Sequence, residues 1–127
     1  MRESLLYSKS MAFAVRCVKF YKYLIEEKKE YVISKQLLRS GTSIGANIRE
    51  GRFAQSEADF INKLSIALKE AEETQYWIEL LKNSDIITEN EFNSIYTDSG
   101  EIVALLLSSV KTFKSNIINN NWKPFSF

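Results

Sequence analysis

Histidine is absent from the chain, and cysteine and proline occur once each, as Cys17 and Pro124. Without histidine the commonest general base and commonest metal ligand are missing. Glu-x-x-His di-iron bundles are excluded with it. A single cysteine cannot form an intramolecular disulfide, and Cys17 sits within an apolar stripe, where it reads as a small buried residue rather than a reactive thiol. Charge of one sign is also lacking: 17 basic residues face 16 acidic ones, net +1. Nothing global therefore draws the chain to nucleic acid or an anionic membrane, and such a role needs local clustering. Long apolar runs are missing too. "MRESLLYSKSMAFAV" and its continuation are interrupted by Arg2, Glu3, Lys9 and Arg16. That leaves neither a signal-peptide core nor a membrane span of about 20 residues. A cytoplasmic protein is the expectation.

What is present is a helical pattern. The chain has 127 residues, 45% of them apolar, with eight Phe, six Tyr and two Trp, enough for one domain with a proper core. Leu6, Phe13, Cys17, Phe20 and Leu24 recur at helical spacing over 4–27. "EEKKE" at 26–30 ends that segment, and a second helix runs over 32–50. Gly51 is its natural stop, as a left-handed residue. Ser56 with Asp59 resembles a capping box with a short acidic partner, opening a third helix over 56–82. Phe60, Leu64, Ala67, Ala71, Ile78 and Leu81 form its apolar face. Thr88 with Glu91 is a better capping box for a fourth helix over 88–118, carrying Phe92, Ile95, Ile102, Leu105, Leu106, Val110, Phe113 and Ile117. Gly100 weakens it by about 1 kcal/mol relative to alanine, which marks "TDSG" as a candidate break. The expected architecture is all-α, an up-down-up-down antiparallel four-helix bundle over 1–120, with a polar-aromatic C-terminal tail over 121–127.

"LLRSGTSIGANIREG" (37–51) holds three of the four glycines. A phosphate-binding loop requires Gly-x-x-x-x-Gly-Lys-[Ser/Thr] after a strand, and a dinucleotide fingerprint requires Gly-x-Gly-x-x-Gly. Gly41, Gly45 and Gly51 fit neither spacing. On a helix turning about 100° per residue, Leu37, Ile44, Ile48 and Gly51 share one face. Gly41 and Gly45 form its shoulder, and Ser40 and Asn47 flank the other side. Two glycines within a helix cost about 2 kcal/mol against alanines, which close approach of a neighbour would offset. Asn47 reads as a hydrogen-bonding residue towards a neighbouring helix, with ligand binding as the alternative. Lys35, Arg39 and Arg49 project outwards within an arc of about 80°. With Arg52 they read as a solvated basic face, or as an RNA- or partner-binding stripe.

"QLLRSGTSIGANIREG" followed by "SEADFINKLSIALKEAEETQYWIELL" resembles the family of 23S rRNA intervening-sequence proteins. The motif matches include Gln36, Leu37, Arg39, Ser40, Ser43, Ile44, Ala46, Asn47, Ile48, Glu50 and Gly51. Phe60, Leu64, Ala67, Glu70, Glu73 and Thr74 follow. Gly45 departs from the family's frequent proline there, and both residue types weaken a helix. The resemblance implies a cytoplasmic bundle that assembles as a ring-like homopentamer; with no histidine in the chain, no metal and no cofactor are expected. It also points to a related branch, the accessory variability proteins of diversity-generating retroelements, which bind nucleic acid and a reverse transcriptase. That branch is strongly basic, whereas this chain is nearly neutral.

No catalytic residue is assigned. Glu70 and Glu73 share a face, but with Lys63 and Lys69 nearby they read as ion-pairing groups. The expected role is a non-enzymatic interaction scaffold. Its sequence basis is an aromatic surplus in Tyr21, Tyr23, Phe53, Tyr76, Trp77 and Trp122 beyond what one core stripe per helix requires. The alternative is an RNA-binding accessory protein using Lys35, Arg39, Arg49 and Arg52, whose weak stripe gains avidity around a ring.

Overall fold

The computed structural model describes residues 2–118, with side chains described over 5–116 and at Ile118. The expected tail over 121–127, Trp122 and the side chain of Ile117 lie outside the described residues. Four helices follow in order: α1 Arg2–Glu26, α2 Ile33–Gly51, α3 Glu57–Asn83 and α4 Glu89–Ile118. Each packs antiparallel on the next, and α4 closes back onto α1. No helix among the described residues is long and apolar enough to cross a membrane.

The predicted stripes form the core. Leu6, Phe13, Cys17 and Leu24 of α1 and Leu37, Ile44 and Ile48 of α2 are buried with Phe60, Leu64, Ile78 and Leu81 of α3. Ile95, Ile102, Leu106 and Phe113 complete it from α4, and the Phe60 and Phe113 rings meet edge to face at 5.0 Å. Burial of each such side chain contributes about 1.5–3 kcal/mol. That outweighs the roughly 1 kcal/mol cost of Gly100, so α4 runs unbroken through "TDSG".

Helix ends follow local chemistry. Thr88 and Glu91 make the full reciprocal box: the Thr88 N–H donates to Glu91 at 2.8 Å and the Glu91 N–H to Thr88 Oγ1 at 3.1 Å. Ser56 accepts the Asp59 N–H at 3.0 Å, but the shorter Asp59 carboxylate takes the Gln55 N–H instead of that of Ser56. At the start of α2 the cap comes from Glu30, whose carboxylate accepts the N–H groups of Val32, Ile33 and Ser34. Gly51 corrects the sequence expectation. No glycine has positive φ among the described residues. The chain leaves α2 by tightening, with N–H groups of Arg52, Phe53 and Ala54 each bonding three residues back. That exit needs no left-handed residue, and Gly51 is simply buried.

Candidate functional site

The family-motif residues of α2 lie along its seam with α3. Arg39 reaches across to Glu70 (3.3 Å) and Glu73, and Glu73 also accepts the Trp77 indole N–H at 3.0 Å. Glu50 pairs with Lys63 at 2.9 Å. Beneath them Thr74 Oγ1 donates to Ser40 Oγ at 2.8 Å in the buried interior. Ser43 bonds back to the Arg39 carbonyl at 2.6 Å, and Asn47 Nδ2 donates to the Ser43 carbonyl at 2.8 Å. Asn47 thus departs from expectation. Its half-buried carboxamide finds a partner one turn back in its own helix, because that carbonyl is within reach. Glu70 and Glu73 do pair, though with Arg39 in place of the nearby lysines. Gly51 ends the motif as a buried contact.

The expected basic stripe is divided. Arg39 leans towards α3 and its two carboxylates, while Arg49 leans the other way, its guanidinium 4.8 Å from the Tyr7 ring on α1. Arg52 stands 6.0 Å from the Phe53 ring just past the helix. Lys35 is exposed and forms no ion pair among the described residues.

The opposite side of α2 carries the glycines. Gly41 backs directly onto Cys17, leaving no room for a methyl group, whereas a Cβ at Gly45 would meet Ser10 Oγ at an ordinary 3.4 Å. Gly45 instead opens a groove of about 300 Å³ between α1 and α2, lined by Tyr7, Met11, Ala14, Ala46 and Arg49. A Cβ at Gly100 would meet nothing within 4 Å.

Depressions of about 380, 160 and 400 Å³ follow the seam between α1 and α4. Ion pairs bridge them: Lys9 to Glu101 at 3.4 Å, Arg16 to Asp98 at 2.6 Å and Lys28 to Glu91 at 4.0 Å. Arg16 also donates to the Ser94 carbonyl and hydroxyl. The Tyr23 hydroxyl donates to Glu91, and that hydrogen bond, then burial and the carboxylate's charge, raise the phenol above its ordinary range. Burial pushes Glu91 up, but bonds from Tyr23 and Thr88 with the charge of Lys28 outweigh it, so its carboxyl lies below the usual value. Cys17 is likewise held as a thiol, pushed up to about 12 by burial despite Arg16. These groups satisfy one another as clamps between helices. Among the described residues no three His, Cys, Asp or Glu side chains converge to hold a metal.

Two surface features escaped the sequence reading. The first is aliphatic: Leu5, Met11, Val15 and Val18 of α1 are exposed, and the last three lie opposite that helix's buried stripe. Of the surplus aromatics, Tyr76 and Phe53 are exposed, but Tyr23 and Trp77 are half-buried in hydrogen bonds. The second is a division of charge. α1 and α2 carry eight basic and three acidic residues, net +5, whereas α3 and α4 carry five basic and ten acidic, net −5. Counting charge helix by helix would have found it; the whole-chain total hides it.

Comparisons agree with this architecture. The family described as 23S rRNA-intervening sequence protein matches residues 2–108, a span containing α1, α2, α3 and most of α4. A crystal structure from Bacteroides thetaiotaomicron VPI-5482, of a protein with unknown function from the S23 ribosomal protein family, is 59% identical to this chain. The match covers 87% of this chain and 99% of that one, with a TM-score of 0.85. No curated protein matches. With the family match over most of its length and the same bundle in a close relative, the chain belongs to the 23S rRNA-intervening sequence protein family.

Proposed function

We propose that this protein is a non-enzymatic, cytoplasmic scaffold that assembles with copies of itself, as the homopentamer that its resemblance implies. The observation that carries this reading is the α1 stripe. Met11, Val15 and Val18 stay 37–47% exposed on the side of α1 turned away from a core that is already complete. Large apolar side chains grouped on one helix face mark an interaction surface. The polar groups along the α1/α4 and α2/α3 seams are engaged with one another, which supports an assembly role over acid/base chemistry. A sizing column with light scattering tests it. The expected mass is a multiple of 14.7 kDa at micromolar concentration, and a monomer overturns the reading.

The basic surplus of α1 and α2 favours a second reading, an RNA-binding accessory role. Lys19, Lys22, Lys35 and Arg49 form no ion pair among the described residues, and a ring would multiply them. Against it, Arg39 is already neutralised by Glu70 and Glu73. A gel shift with 23S rRNA fragments at low salt tests this role. Absence of binding, or binding unchanged by Lys35→Glu with Arg49→Glu, removes it.

A further inference from the structure

We infer that the α1/α2 face of one copy docks on the α3/α4 face of the next, a head-to-tail contact between two different surfaces. This assignment rests on the scaffold reading and adds which surfaces meet.

In a four-helix bundle whose consecutive helices are neighbours, the α1/α2 and α3/α4 faces lie on opposite sides. The helices that form them differ in charge, net +5 for α1 and α2 against net −5 for α3 and α4. Ion pairs that join the two sides take up most of this difference: outside them α1 and α2 keep five basic and two acidic residues, net +3, and α3 and α4 keep four basic and five acidic, net −1. What remains is placed to matter between copies. Lys19 and Lys22 lie in the second half of α1, and Lys35 at the start of α2 lies at the same end of the bundle. Glu72 and Glu79 lie in the second half of α3, again at that end, and pair with no basic residue among the described contacts. Two copies side by side and parallel therefore set lysines against glutamates. The same side also carries Lys69 midway along α3, and Lys111 and Lys114 near the other end of α4. The favourable contact is thus confined to one end, which fixes the copies parallel.

Apolar features match as well. The α1/α2 face offers Met11, Val15 and Val18 beside the groove that Gly45 leaves open. The α3/α4 face offers Tyr76 (56% exposed) and Leu107 (53%), and a depression of about 620 Å³ lined by Ala58, Ile61, Ser65, Lys114 and Ile118. Gly45 and Gly100 belong to these two faces, and packing within the bundle demands neither. Each costs about 1 kcal/mol of helix stability, and close approach by a second copy supplies a reason to keep them. The area is close to that of a standard contact. With 25 and 19 residues, α1 and α2 are about 37 and 28 Å long and together present roughly 700 Å². A stable complex buries about 800 Å² per partner. A contact between different surfaces leaves each copy with one unused half, so it continues into a ring where the rotation closes.

Mixing two variants tests the pairing. Val15→Glu spoils the α1/α2 face and Leu107→Lys the α3/α4 face, both at exposed positions. By light scattering, each variant alone falls to 14.7 kDa. Their equimolar mixture gives a species of twice that mass and no larger, because one intact face of each kind remains. A parent that is monomeric, including one that assembles only on added RNA, overturns the scaffold reading and this one together. An oligomeric parent whose Leu107→Lys variant keeps full mass overturns only the assignment of faces. So does a mixture that stays monomeric. If circular dichroism shows either variant unfolded, Val18→Glu with Tyr76→Lys is scored by the same outcomes.

Discussion

Gly41 of α2 is packed against Cys17 of α1 so closely that a Cβ at 41 would overlap the cysteine sulfur and stand 3.1 Å from its Cβ. The helical glycine cost predicted from sequence is thus offset by the approach of α1, and the residue receiving it is the only cysteine.

Gly41→Ala is expected to destabilise the protein. The gain of about 1 kcal/mol in helix propensity is set against an overpacking cost of roughly 1–3 kcal/mol at a buried site. The net loss is about 1 kcal/mol, read by chemical denaturation. Combining it with Cys17→Ala removes the clashing sulfur, so the two changes should couple by about 0.5 kcal/mol or more, as residues in contact do. Additive effects would contradict the contact.

Gly45→Ala and Gly100→Ala separate from Gly41→Ala. A Cβ meets Ser10 at 3.4 Å or more in the first case and nothing within 4 Å in the second. Each should raise the stability of the isolated bundle by up to about 1 kcal/mol. Thermal melts of a dissociated variant such as Val15→Glu provide the measurement, and a loss at Gly100 would refute the open space described there.

Ser109 is buried with a hydroxyl that bonds to no described group. Removing an unsatisfied polar atom relieves a desolvation cost of about 1–3 kcal/mol. Ser109→Ala should therefore be neutral or stabilising, in contrast to Thr74→Val. The latter breaks the buried bond to Ser40 and should cost about 1 kcal/mol.

Acid should loosen the start of α4. Because the folded-state pKa of Glu91 is lowered, the stability it contributes is present above the ordinary carboxylate value of about 4.3 and is lost as pH falls through its folded value. Between about pH 5 and 3 the parent should lose melting temperature faster than Glu91→Gln. Equal slopes would contradict the Tyr23–Glu91–Lys28 arrangement. For Cys17 the sign is reversed. Its raised pKa contributes stability fully present below about pH 8.5 and lost as pH rises towards 12. A thiol reagent at pH 8 should label the unfolded chain and leave the native one unmodified.

Most of the fold was legible because burial and helical period coincide. Every residue of the α3 stripe read from sequence, from Phe60 to Leu81, is buried. Thr88 and Glu91 close the expected box. Gly51 aside, the misreadings share a cause: side chains that find local or cross-helix partners which spacing on one helix cannot reveal. Arg39 and Arg49 lie within one arc of α2, yet one turns to Glu73 and the other to Tyr7, on helices far off in sequence. Glu30 caps α2 from within a charge cluster that reads only as a turn. The motif 36–51 identified the family, and the structure gives it a physical role as the polar lock between α2 and α3.

The scaffold reading makes this bundle one part of an assembly of identical copies. Native mass spectrometry at micromolar concentration and low salt tests it most directly. One dominant closed species of about five times the 14.7 kDa chain mass is expected. A single species at the mass of one chain, unchanged on concentration, would contradict it.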